Sequence, residues 1–430
     1  MAKCRLCFLP VFLFAASSIA LQPGPFQPQP HDWPQWQGPE RNNRSRETGL
    51  LPAWPPAGPP LVWKAKGLGG GYSAPSIAAG RAFGMSYRGN DEVVWALNAQ
   101  DGKELWQRKI AVANRRVDYD EGSRCTPTVD GDRLYALGVS GDLVCLQVAD
   151  GKQIWRKNLI RDFGGTLPYY RASYGYAESP LIDGDRVVVT PGEPKHTLVA
   201  LDKRTGKLLL SASVPEGAKK GSSRAEYASV ATAEVAGRKQ YVVFLHGGLA
   251  GIAADDGRLL WRYDKPSSGI VNCNTPIIAD GLVFAASGYG KGGGLARLAD
   301  RQQGQAEEVY FTKRMKNLHG GMVLVDGWLY GGSEPGMLVC LDFRTGKGGW
   351  DERRPGKGSI AYADGHLYYR NERGPMLLIE ATPKAYVEKA RFDPPDRSRH
   401  HAWSHPVIAN GRLYLRDQDV LLCYDVKQRQ

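Results

Sequence analysis

Short apolar runs, broken at brief intervals by Asp-Gly, Asn-Gly or Thr-Gly steps, fill the chain from Leu61 to Gln430, and no sustained helical period of apolar residues interrupts them. The pattern predicts β-strands joined by tight hairpins. Aligned with itself, the chain repeats one phrase: Ala96-Leu-Asn-Ala-Gln-Asp-Gly102-Lys-Glu-Leu-Trp106, then Cys145 to Trp155 through Gly151, Ala200 to Leu210 through Gly206, Gly251 to Trp261 through Gly257, and Cys340 to Trp350 through Gly346. Each copy reads as a strand, a turn needing a residue at positive φ, and a second strand carrying a large side chain.

A second hairpin precedes each phrase. Its glycine is Gly80, Gly131, Gly184, Gly237, Gly281, Gly327, Gly365 or Gly411, and successive copies lie 38 to 53 residues apart. Two hairpins per unit make a four-stranded antiparallel sheet, and eight units at this period predict an all-β fold, an eight-bladed β-propeller. The last copy stops at Cys423-Tyr-Asp-Val-Lys-Gln-Arg-Gln430, before its glycine and tryptophan, whereas Leu61-Val62-Trp63-Lys64 precedes the first hairpin. Pairing of this N-terminal strand with the last blade is expected to close the ring and remove its free sheet edges. Trp63, Trp106, Trp155, Trp261 and Trp350 are expected to dock one blade on the next, because an aromatic on the outer strand packs neighbouring sheets together. The units around Gly281 and Gly365 lack a clean phrase and are expected to be irregular.

The first twenty residues add a destination. Met1-Ala2-Lys3-Cys4-Arg5, an apolar stretch from Leu6 to Ala16, and Ser18-Ile19-Ala20 read as a signal peptide over residues 1–20. The apolar stretch falls short of the roughly 20 residues that span a bilayer. Cys4 and Cys7 precede it, so a lipid anchor on a mature N-terminal cysteine is not indicated. A periplasmic or secreted protein with no transmembrane segment after cleavage is expected. Loss of Lys3 and Arg5 lowers the formal charge from +12 to +10. The remaining basic residues are dispersed, and export argues against nucleic acid as a partner. Residues 21–60 hold eleven of the 28 prolines and the phrase Asp32-Trp-Pro-Gln-Trp-Gln-Gly-Pro39, so an extended segment is expected, lying on the ring or tethered beside it; residues 61–430 form the propeller. Cys125, Cys145, Cys273, Cys340 and Cys423 are odd in number, which leaves at least one thiol free unless two chains pair, and their spacing matches no zinc pattern.

The phrase ending in tryptophan resembles the tryptophan-docking motif of pyrroloquinoline-quinone (PQQ) propeller repeats, and Trp33-Pro-Gln-Trp-Gln-Gly-Pro39 looks like the element that opens many exported PQQ-like repeat proteins. The resemblance implies architecture more strongly than activity. Its BamB-like, non-catalytic branch implies a monomeric binding or scaffold protein of the cell envelope, without cofactor, whose partner is an envelope protein or polymer. Its quinoprotein alcohol dehydrogenase branch implies PQQ and calcium at one channel mouth, beneath an adjacent-cysteine disulfide, with an aspartate as base for oxidation of an alcohol or sugar. On that second implication Glu178 and Asn274, at the start of inner strands in the third and fifth units, suit calcium, and Arg124 suits a PQQ carboxylate. No two cysteines are adjacent, however, and no aspartate is assignable as the base. Binding is the preferred reading.

One loop stands apart. Arg397-Ser-Arg-His400-His401-Ala-Trp403-Ser-His405-Pro406 leads into the last unit, and His319 holds an equivalent place in another. Histidines so close suit a transition metal, and Trp403 suits stacking on a ring or sugar; with no acidic or sulfur partner in the loop to complete a ligand set, a polar connection between blades is the alternative. His319, His401 and Trp403 are therefore the candidate ligand or partner surface.

Overall fold

Apart from Met1, the computed structural model describes residues 27–167, 173–216, 222–301 and 304–429; the expected signal peptide lies outside them. The strands form eight sheets. Numbered in chain order, the blades have inner strands Ser76–Ala78, Thr128–Asp130, Leu181–Asp183, Ala231–Val235, Ile277–Ala279, Met322–Val325, Gly358–Ala363 and Val407–Ala409. Middle strands are apolar on both faces because a neighbouring blade covers each face. In Asp142–Gln147, for example, Leu143, Val144, Cys145 and Leu146 are all fully buried. Outer strands such as Glu104–Val112 alternate instead, with Trp106 turned inward between exposed neighbours.

Leu61–Ala65 pairs antiparallel with Val420–Asp425, placing Trp63 opposite Cys423, so the first strand completes the last blade. At four blade boundaries the docking contact has one form. Trp63, Trp106, Trp155 and Trp350 donate their indole N–H to the backbone carbonyls of Ala99, Val148, Lys203 and Thr382 on the following blade. The motif glycine makes room for the ring. Gly151 has φ +71°, and a Cβ there would lie 2.6 Å from the Trp106 ring.

Trp261 departs from the expected docking. Gly251 stands opposite it where other copies have Ala or Cys, and the indole swings over its own blade, into the space a Cβ on Gly251 would fill. Its N–H donates to Gln240 Oε1 (2.7 Å), and Gln240 Nε2 donates onward to the Ala299 carbonyl of blade 5 (3.1 Å). The inter-blade bond is thus relayed through an amide. Blade 5, with no tryptophan, uses Tyr310, whose ring covers Gly346 and whose hydroxyl donates to Phe343 O (2.9 Å).

The blade around Gly365 has four strands in ordinary antiparallel order, contrary to expectation. Strand alternation survives there although the turn phrase does not. The unit around Gly281 is irregular as expected: between its third and fourth strands, Gly304–Gln305 leaves to add a fifth strand to blade 4, parallel to Leu259–Tyr263. The five cysteines among the described residues are free thiols; Cys125, Cys145, Cys340 and Cys423 are buried and Cys273 is half-buried.

The described part of the proline-rich segment, from residue 27, runs across the channel. Trp33 exchanges two backbone hydrogen bonds with Ile77 of blade 1, and Pro34 O accepts from Val129 N of blade 2. Trp36 Nε1 donates to Thr275 Oγ1 ahead of the inner strand of blade 5, and the Arg41 guanidinium donates to Ser179 O and Pro180 O ahead of that of blade 3. Asn43 reaches Met322 O of blade 6 and brackets Tyr362 of blade 7 with Ser45, while Asp32 and Glu47 accept from Asn410 and Gly411 of blade 8. One stretch of about twenty residues therefore ties seven blades together along the inner wall, and closes the ring's bore.

Candidate functional site

Above this plug, at the mouth formed by the segments leading into the inner strands, lies a cavity of about 380 Å³. Its wall has a simple construction. Tyr72, Arg124, Ala177, Tyr227, Cys273, Leu318 and Trp403 line it, and each stands four positions before the first residue of its blade's inner strand. The repeat brings this one position to the mouth in seven blades, and there the copies differ in chemistry. Trp36 of the plug also lines the cavity, with its ring 4.5 Å from that of His405, so the cavity is blind.

Aromatic rings dominate one side. Trp403 contacts His401 in a stacked pair (4.8 Å between centroids), His319 (5.0 Å), Tyr72 (5.0 Å) and Tyr119 (4.7 Å); Tyr119 continues to Tyr174, and Tyr174 to Tyr227. Tyr119 and Tyr289 reach the rim, 41% and 49% exposed, and both hold positive φ (52° and 54°). Bulky side chains seldom adopt that conformation outside strained functional loops.

Charge in the wall is balanced, with Arg124 and Lys357 facing Glu334 and Glu372. Arg124 donates to the carbonyls of Gly122, Asp118 and Tyr119 and lies over the rings of Tyr72 and Tyr174. Burial pulls its pKa down, and the neighbouring tyrosines oppose that shift. Glu372 accepts from Trp403 Nε1 (3.3 Å) and lies 3.8 Å from both His319 Nε2 and Lys357 Nζ. Burial pushes His319 down to about 3 and His405 to about 4, so both imidazoles are neutral at neutral pH. Burial raises the Cys273 thiol well above its ordinary range, which leaves it a poor nucleophile.

Of the residues singled out in the sequence, Arg124, His319, His401 and Trp403 meet in this cavity. Glu178 and Asn274 do not line it. Both Glu178 oxygens accept from Thr190, and burial pushes the carboxyl up to about 7. Asn274 donates to the carbonyls of Ala286, Asn317 and Leu318 and accepts from Gly321 N. Glu178 thus fastens two segments of blade 3, and Asn274 joins blade 5 to blade 6. Among the described residues no group of three or more His, Cys, Asp or Glu side chains is placed to hold a metal ion. PQQ and calcium do not fit this donor set: the two oxygen donors lie outside the cavity lining, and the charge of Arg124 and Lys357 is offset there by Glu334 and Glu372. The fold does supply acids that the histidine loop lacks in sequence, bringing Glu121 to His400 (2.8 Å) and Glu372 to His319.

The profile of the family described as outer membrane protein assembly factor BamB matches residues 45–166 and 90–352. The protein of that name from Salmonella typhimurium is 27% identical over 219 residues, 50% of this chain and 47% of the relative; that from Aliivibrio fischeri is 35% identical over 95 residues, 20% of this chain and 23% of the relative. The chain thus spans about half the length, or less, of these curated relatives. Among solved structures, BamB from Moraxella catarrhalis covers 80% of this chain and 94% of its own (TM-score 0.54, 14% identity). Quinohemoprotein alcohol dehydrogenase from Comamonas testosteroni covers 93% and 81% (TM-score 0.65, 12% identity). At these identities the structural likeness shows the fold. No helix among the described residues is long and apolar enough to cross a membrane. A repeat profile matched over more than half of the chain, on a closed ring of eight blades, makes the protein a member of the family described as outer membrane protein assembly factor BamB.

Proposed function

We propose that the chain is exported to the cell envelope and acts there by binding, as a monomeric scaffold that presents the aromatic mouth of its ring to an envelope protein or polymer. One observation carries this reading: the plug converts the bore into a blind, charge-balanced cavity whose wall varies from blade to blade while the ring around it repeats. Such a cavity is built to recognise. The relatives are named as assembly factors of outer membrane proteins, and a scaffold role agrees with that.

The test is a titration of the mature chain with PQQ and calcium, followed by a dye-linked assay on alcohols and aldoses. We expect neither stoichiometric uptake nor turnover. Uptake of one PQQ per chain together with turnover would overturn the reading in favour of a dehydrogenase.

A further inference from the structure

Resting on that binding reading, we propose that the blind cavity is a receptor site for the end of a neutral oligosaccharide, one or two pyranose rings deep. The first support is mixed polarity. Arg124 and Lys357 bring hydrogen-bond donors to the wall and Glu334 and Glu372 bring acceptors, and only three of the five Arg124 N–H groups are spent on backbone carbonyls. A ligand that meets donors and acceptors at once carries hydroxyl groups, which give and take hydrogen bonds.

The second support is charge. Two cations and two carboxylates line the wall, and both histidines are neutral, so nothing compensates a polyanion. An aliphatic ligand would cover the charged side chains of the wall without giving them partners.

The third is shape. Seven tyrosine and tryptophan rings line about 380 Å³, toward the small end of the roughly 300–1,000 Å³ typical of small-molecule sites. Aromatic faces pack against the C–H faces of a pyranose while polar edges meet its hydroxyls. With Trp36 as its floor the cavity is a dead end, so it takes a chain terminus and not the middle of a polymer.

The experiment uses the full mature chain and follows tryptophan fluorescence and titration heat with neutral mono- to tetrasaccharides of glucose and of N-acetylglucosamine, beside glucuronate. We expect saturable binding of a neutral sugar, affinity that rises through the second ring and then levels, and at least about tenfold weaker binding of glucuronate. Tyr289→Ala, at an exposed rim position, should weaken binding about tenfold while leaving the melting temperature unchanged. No saturable binding up to about 50 mM, equal or tighter binding of glucuronate, affinity still rising at the fourth ring, or an unaffected Tyr289→Ala would each overturn the assignment. Any of these without PQQ turnover leaves the broader binding reading standing, so the two failures are told apart.

Discussion

The amide relay between blades 4 and 5 can be tested by removing its middle. Gln240 is fully buried, accepts from Trp261 Nε1 and donates to Ala299 O. Gln240→Ala would strand a buried donor and a buried acceptor together, at about 1–3 kcal/mol each, so a total near 3 kcal/mol is expected after partial relaxation. With an unfolding entropy of roughly 2.1 cal/mol/K per residue, a ring of this size should melt about 4 °C lower. Trp106→Phe removes a single direct bond, to Val148 O, and should cost about half as much. The relay further requires coupling: in a double-mutant cycle with Trp261→Phe, measured by urea unfolding, the interaction should reach about 1 kcal/mol. A Gln240→Ala protein within about 0.5 kcal/mol of the parent, or a cycle that simply adds, would refute the relay.

Two further predictions concern the cavity and its floor. His319 and His405 bind no proton in the native state until about pH 3 and 4, whereas unfolded histidine does so near 6.5; each should therefore withdraw stability as pH falls below 6.5, about 2 kcal/mol by pH 5. Glu92 and Glu178, held up to about 7 by burial, act with the opposite sign over the same window, so the informative quantity is the difference between the parent and His319→Gln/His405→Gln, and parallel melting curves from pH 7.5 to 5 would refute the assignment. Arg41→Ala should free the plug, because the guanidinium is its tie to blade 3; limited proteolysis should then cut between residues 32 and 50 while the blades stay intact, and unchanged protection would show that Arg41 does not anchor it.

Most of the ring was legible because its determinants are local and repeated. A glycine at each hairpin and an aromatic at a fixed distance after it state both the strand pairing and the inter-blade contact. Trp261 escaped that logic because its rotation depends on the missing Cβ of Gly251 and on Gln240, two strands away. Tyr310 escaped because an insertion displaces it from the phrase, although its ring performs the same contact. The cavity was half legible. His319, His401 and Trp403 drew notice as a cluster, whereas Tyr72, Tyr227 and Cys273 are single residues with no local signal. The offset of four before each inner strand would have gathered them. Glu372 and Trp36 arrive from a distant hairpin and from outside the repeats, where no periodicity reports them. Glu178 and Asn274 lie outside the cavity lining, their polar atoms serving Thr190 and the backbone of blades 5 and 6, a use that looks the same as ligation from sequence.

The plug also governs the order in which the molecule can be finished. Its residues precede every blade, yet Asp32 bonds to Asn410 and Ser45 to Tyr362, and the strand that follows it completes the sheet begun by the last one. Contacts separated by more than three hundred residues cannot form while the later part of the chain is still being made. Until then the opening segment has no seat, and the first blade lacks the partner that covers its outer face. The unfinished ring is thus an open arc with two unprotected ends, and its period of greatest exposure to proteases and aggregation lasts until the C-terminal blade arrives.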